Sequence, residues 1–227
     1  MILPSRCFMI IAIDGPGAAG KSSTAKIIAE KLGFLYLDTG AMYRALAYYT
    51  IELGLKIEDL TSLELVLSNL KINFLSEGHQ QRLFINNLDV TDKIRTPDVS
   101  NLASRIATLR PVREKLVSLQ RSLAVNNHVI MDGRDIGTVV FPNAEVKFYL
   151  TASVEERSLR RYREMQEKGE FADLAQITSD LIWRDKNDAE RTESPLRKAV
   201  DAIALDTTGM SVEKQVEVML DLIQKAR

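Results

Sequence analysis

A chain of 227 residues, 45% of them apolar, is long enough to bury a large single core, and 30 basic against 31 acidic residues leave a formal charge of −1. Disorder and a global field drawing nucleic acid or anionic membrane are thereby excluded. Seventeen of the basic residues are Arg, whose planar fork suits phosphate, and the lone cysteine, Cys7, permits no intramolecular disulfide, which fits a reducing, cytoplasmic compartment.

Met1 to Phe8 carries Arg6 but no long apolar run before a small-residue cleavage site, so it reads as a short extension ahead of Met9 and not as a signal peptide. No stretch approaches the ~18 consecutive apolar residues of a membrane span. Short apolar, β-branched runs then alternate with segments of helical period. In chain order, strands are expected at Met9 to Ile13, Phe34 to Leu37, Val129 to Met131, Val146 to Leu150 and Ala202 to Leu205. Helices are expected at Lys21 to Leu32, Ala41 to Leu53, Val99 to Asn126 with a break at Pro111, Val154 to Lys168, Leu174 to Asn187 and Val212 to Ala226. Ser153 with Glu156 forms a capping box, and Ser211 reads as an N-cap. Residues 60–95 leave this alternation: Ile72 to Leu75 and Leu83 to Ile85 read as a hairpin about Ser76 to His79, inserted into an α/β domain. No repeat or proline-rich linker marks a second independent domain, so 1–227 reads as one domain.

Gly15, Pro16, Gly17, Ala18, Ala19, Gly20, Lys21 and Ser22 match GxxxxGK[ST], after an apolar strand and before a helix, with Ser23 next in the chain. Small residues let successive backbone N–H groups converge on phosphates, and the helix N-terminus adds the positive end of its dipole. Lys21 would reach the β- and γ-phosphates and Ser22 would bind Mg²⁺. The fold class is therefore α/β, a P-loop NTPase-type doubly wound five-stranded parallel sheet with helices on both faces. The loop alone does not name a reaction. No Asn is followed by Lys, so a GTPase base-reading motif is absent, and the charge balance argues against a nucleic-acid motor. A small-molecule kinase remains.

Two further clusters belong to the acceptor side. In Asp38 to Arg44, Thr39 can cap a helix that carries Arg44 one turn on; the local pattern equally suits an ordinary cap with a surface Arg. Asp132 to Thr138 is a charged, Gly-flanked run leaving a buried strand, where Asp132 would hold Mg²⁺ directly or through water. Arg157, Arg160, Arg161 and Arg163 alternate with Glu155, Glu156 and Glu164, a pattern shared by a mobile lid and by plain ion pairing on an exposed helix. His79 and His128 suggest no metal site.

The stretches IDGPGAAGKSS, LDTGAMYRALA, DGRDIGTVVFPNAEVKFYLTAS and RDKNDAERTESPL, with the insertion and the Arg-rich helix, resemble the bacterial cytidylate kinases over nearly the whole chain. DGRDIGTVVFP is far more specific to them than the phosphate loop. That resemblance implies transfer of the γ-phosphate of ATP to CMP or dCMP with Mg²⁺, by a cytoplasmic monomer that binds neither nucleic acid nor membrane. It further implies that Lys21, Arg134, Arg184 and Arg191 are catalytic, with Arg160 beside ATP. Arg44, Arg134 and Arg191 would hold the monophosphate, and Arg184 would reach the phosphates as a lid of about residues 153–195 closes. Ser104, Arg113 and Asp135 would read cytosine, and Asp188 would meet the sugar hydroxyl. A carboxylate beside Arg and a hydroxyl complements cytosine's exocyclic amine, whereas uracil would present a carbonyl to Asp135. Without the resemblance, Ser104 and Arg113 read more readily as solvated helix positions. Thr39 stands where Ser is common in the family, and either hydroxyl can donate.

Overall fold

The computed structural model describes residues 8–77 and 80–226. Cys7 with the rest of the extension before Phe8, and His79, lie outside the described residues. The chain divides into two compact units, Met1–Leu37 with Leu123–Arg227, and Asp38–Ser122. The second is wider than the insertion at 60–95, because the flanking helices Thr39–Glu52 and Pro97–Ile106 pack on one another and the first of them also packs on the inserted stretch.

In the first unit, β1 (Ile10–Asp14), β2 (Leu35–Asp38), β6 (Val129–Gly133), β7 (Val146–Thr151) and β8 (Ile203–Asp206) form a five-stranded parallel sheet in the order β2-β6-β1-β7-β8. Strands covered on both faces must be apolar throughout, and β1 and β6 are continuous runs for this reason. Helices α1 (Lys21–Leu32) and α8 (Val212–Lys225) pack on one another, and Ala25, Ile28, Met219 and Ile223 join Ile11, Ile13, Ile130 and Phe148 in one core. Each of the fully buried Ile, Met and Phe side chains contributes roughly 1.5–3 kcal/mol. The register pairs Ile13 with Asp132, Asp14 with Gly133 and Asp14 with Tyr149. The carboxyl ends of the three central strands are thus level, so the loops that leave them emerge together. Helices α6 (Val154–Glu167) and α7 (Leu174–Glu190) pack against each other.

The second unit holds α2 (Thr39–Glu52), α3 (Leu60–Ser68), a three-stranded antiparallel sheet of β3 (Ile72–Glu77), β4 (Gln80–Ile85) and β5 (Leu88–Asp89), α4 (Pro97–Ile106) and α5 (Arg110–Ala124). Helix α2 packs on α4 and β4. Asn86 and Asn87, at φ 45° and 69°, make the two-residue turn from β4 to β5, a geometry Asn tolerates better than most residues.

Strand and helix expectations hold to within a few residues, with corrections. Helix α3 and strand β5 have no counterpart among the expected elements. The break in the long helix falls at 107–109, before Pro111, which occupies the first turn of α5 where its missing N–H is no loss. The cap of α2 is Asp38, whose carboxylate accepts from the N–H of Ala41 at 2.8 Å, so Thr39 is the buried first helical residue and not the cap. The caps at Ser153 and Ser211 are present, accepting from the N–H of Glu156 and Lys214 at 3.2 and 3.3 Å.

Candidate active site

The phosphate loop runs from the end of β1 into α1. Gly15 sits at φ 146°, and a Cβ there would lie 2.0 Å from the carbonyl oxygen of Leu150. Ala18 takes φ 58°, a conformation costly for a residue with a side chain and found where function holds the backbone. Gly20, left-handed at φ 91°, precedes α1 with no side chain capping the helix. The first N–H groups of α1 therefore remain for an anion. Lys21 is buried and donates to the carbonyl of Pro16 at 2.6 Å. Burial, and after it the neighbouring charges of Arg134 and Arg184, holds its pKa well below the usual lysine value, against the pull of Asp132 and Asp14. Three cations crowded in a desolvated place call for a polyanion.

Ser22 donates to one oxygen of Asp132 at 2.8 Å, and Tyr36 donates to the other at 2.9 Å. These hard oxygens suit Mg²⁺, which keeps several waters and takes few protein ligands. Among the described residues no cluster of three or more His, Cys, Asp or Glu forms a closed metal cage.

After β6, the turn Ile136–Val140 is π-helical and begins at Asp135, whose carbonyl accepts from Val139 and Val140. The carboxylate of Asp14 accepts from the N–H groups of Ile136 and Gly137, both at 2.8 Å. The last residue of β1 therefore ties the phosphate-loop strand to the turn behind Arg134 and Asp135. Burial raises the Asp14 pKa to about 6, opposed by those two N–H donors.

Arg134 donates from Nε to Asp188 on α7 at 2.8 Å, and its guanidinium lies close beside Gly17. Burial works against its charge, but the carboxylates of Asp188, Asp132 and Asp185 together raise the pKa. Burial likewise works against the Asp188 carboxylate, and Arg134, Arg184 and Arg191 together hold its pKa below the usual value. Arg191, at the end of α7, donates to the carbonyl of Ser194 at 2.7 Å and stands 3.8 Å from both Asp135 and Asp188. Arg134, Asp135, Arg184, Asp188 and Arg191 are thus one charged network with Lys21, within a single compact unit.

In the other unit, Arg44 pairs with Asp38 at 3.0 Å. The pKa of Asp38 is lowered: burial opposes this, and Arg44 and the N–H of Ala41 prevail. Arg113 on α5 is buried, donates to the carbonyl of Ala107 at 3.3 Å, and lies 5.8 Å from the ring centroid of Tyr43. Ser104 is a half-buried residue of α4.

The Arg-rich helix resolves unevenly. Arg160 donates to Glu156, to the hydroxyl and carbonyl of Thr207, and to the carbonyl of Met210, while the Thr207 hydroxyl lies 3.0 Å from the carbonyl of Ala19. Arg157 is buried, reaches the carbonyls of Ala152 and Gly17, and pairs with Asp185 at 2.6 Å. Arg161 makes a surface pair with Glu164, and Arg163 is exposed. Sequence reasoning passed over Asp14, Tyr36, Asp38, Asp185 and Thr207. A carboxylate closing an apolar strand was the one available signal for Asp14 and Asp38; the others carry none locally.

The family model for cytidylate kinase matches residues 11–225. A cytidylate kinase of Bacillus cytotoxicus is 49% identical over 216 residues, 95% of this chain and 96% of that one. One of Bacillus cereus is 48% identical over 213 residues, 94% and 95% of the two chains. Among solved structures, a shikimate kinase from Acinetobacter baumannii in complex with shikimate aligns at TM-score 0.50 and 15% identity over 97% of this chain and 96% of its own, a likeness of fold alone. With the family model covering nearly its full length and near-half identity to these relatives, the chain belongs to the cytidylate kinase family.

Proposed function

We infer that the protein transfers the γ-phosphate of ATP to CMP and dCMP, releasing ADP with CDP or dCDP. The observation that carries the reading is the crowding of Lys21, Arg134 and Arg184 at the phosphate loop, where burial and the two guanidinium charges hold the lysine pKa below its usual value, a strain that a bound polyanion would relieve. Phosphoryl transfer asks little covalent chemistry of a protein, so positioning and charge neutralisation do the work. Residues 15–23 cradle the triphosphate, with Lys21 between the β- and γ-phosphates. Arg160, anchored to Thr207 and through it beside Ala19, braces the loop on the ATP side. Ser22 and Asp132 hold Mg²⁺, which when bound neutralises charge on the β- and γ-phosphates.

On the acceptor side, Arg44, Arg134 and Arg191 take the monophosphate, with Thr39 near it, and Asp188 takes the sugar hydroxyl. Arg184 joins the phosphates when residues 153–195 close as a lid, excluding water as a competing acceptor. Asp135 accepts from the cytosine amine, with Arg113 and Ser104 completing the base contacts and 60–95 contributing to the acceptor side. A cytoplasmic setting with small nucleotides as partners fits the near-neutral charge and the single cysteine.

The test is catalytic efficiency with CMP, dCMP, UMP and AMP for the parent and Asp135→Ala. A site built to hydrogen-bond a substrate group rejects an analogue lacking it, so the mutant should lose ~10²-fold or more with CMP and much less with UMP. An equal decline with both acceptors would remove Asp135 from base recognition.

A further inference from the structure

Tyr36 lies on β2, and β2 is hydrogen-bonded in the sheet to β6, the strand that carries Asp132. Strand alternation puts Tyr36 on the face opposite Leu37, where its ring packs against the core of β1, β6 and α1. Its hydroxyl meets Asp132 at 2.9 Å. The Asp132 side chain is nearly inaccessible to water, at 3% exposure, so a carboxylate there is tolerable only if its oxygens are satisfied. Tyr36 satisfies one oxygen, and the other faces the Ser22 hydroxyl at 2.8 Å. A carboxylate gripped on one oxygen by a donor on a rigid strand cannot turn freely about its terminal bond. That grip fixes the direction in which the remaining oxygen addresses Ser22.

We propose that Tyr36 is a positioning residue for the divalent cation: by holding the Asp132 carboxylate, it presets the Ser22–Asp132 pair for the metal that accompanies the nucleotide. The proposal rests on the assignment of Ser22 and Asp132 to Mg²⁺. Groups that orient a metal's ligands without touching the metal act in this way, and losing one typically costs about 10- to 100-fold in metal affinity or activity. The phenol suits the task because its ring is anchored by packing and its one donor is aimed at a charged acceptor, which makes the stronger kind of hydrogen bond. Removing the hydroxyl leaves the ring, so Tyr36→Phe isolates the hydrogen bond from the fold.

The experiment titrates Mn²⁺ into the enzyme–ADP complex, reading free Mn²⁺ by electron paramagnetic resonance, for the parent, Tyr36→Phe and Asp132→Asn. ADP binding is measured separately in the presence of EDTA. Tyr36→Phe should weaken Mn²⁺ by about 10-fold or more. It should raise the Mg²⁺ concentration for half-maximal turnover by a similar factor and leave metal-free ADP binding and the KM for CMP unchanged. Mn²⁺ affinity within twofold of the parent in Tyr36→Phe, with Asp132→Asn clearly weakened, would overturn the role of Tyr36 alone. Unchanged Mn²⁺ affinity in Asp132→Asn would overturn the metal assignment and the proposal with it. Loss of metal-free ADP binding in Tyr36→Phe would show the hydroxyl to be a general brace of the loop, and would overturn the proposal equally.

Discussion

Arg157 and Arg161 stand one helical turn apart on α6, each beside an acidic partner, and the sequence around them offers no reason to rank one above the other. Arg157 is buried, pairs with Asp185 on the next helix and reaches the carbonyl of Gly17 in the phosphate loop. Arg161 stays at the surface with Glu164 on its own helix. The first joins three segments of the chain, and the second decorates one. A charge pattern at helical spacing therefore reports which residues share a face, while burial decides whether a pair is structural.

Cutting the buried pair is the largest test of that contrast. Arg157→Ala leaves Asp185 and two backbone carbonyls without their donor, and removing one partner of a buried pair costs about 3–5 kcal/mol. Because Asp185 keeps about a quarter of its surface, at 24% exposure, the lower end is expected. Urea unfolding measures it, and Arg157→Lys should recover little, since an ammonium cannot reproduce the fork. A loss under about 1 kcal/mol would put Arg157 in the class of surface pairs.

A second comparison sets two buried carboxylates against each other. Asp188 is surrounded by three guanidinium groups and its pKa is lowered; Asp14 has two backbone N–H donors, and burial raises its pKa to about 6. A pKa above the unfolded value means the native state holds the extra proton, so stability from this group is greatest below pH ~4 and is lost as pH rises to about 6. The loss amounts to roughly 3 kcal/mol at about 1.4 kcal/mol per unit. Asp14→Asn cannot titrate, so the difference between parent and mutant unfolding free energies should change by an amount of this order between pH 4 and pH 7, levelling off above about 6. A difference independent of pH would mean that the two N–H donors fully offset burial.

The smallest effect belongs to Arg161→Ala, which should move stability by no more than ~0.5 kcal/mol, and less in high salt. Its kinetics should match the parent's. A clear loss of turnover would return Arg161 to the lid chemistry and weaken the contrast with Arg157.

The features that the sequence determined by itself are contiguous. The loop from Gly15 to Ser22, the alternation of apolar runs with helical periods, the caps at Ser153 and Ser211 and the hairpin in 60–95 arise from residues within a few positions of one another, because dihedral preference, capping and turn chemistry act at that range. The tertiary structure alone decided the pairings across the chain. Ser22 and Tyr36 converge on Asp132, 110 and 96 residues away, and Asp14 meets Ile136 and Gly137 across 122 and 123. Even the cap of α2 went to Asp38 over its neighbour Thr39, because the same carboxylate also takes Arg44. Such contacts depend on which strands lie side by side and at what register, and β6 enters the sheet between β1 and β2 although the whole of Asp38–Ser122 intervenes in the chain. No local rule encodes that order; it is chosen by burying the apolar faces of all five strands at once.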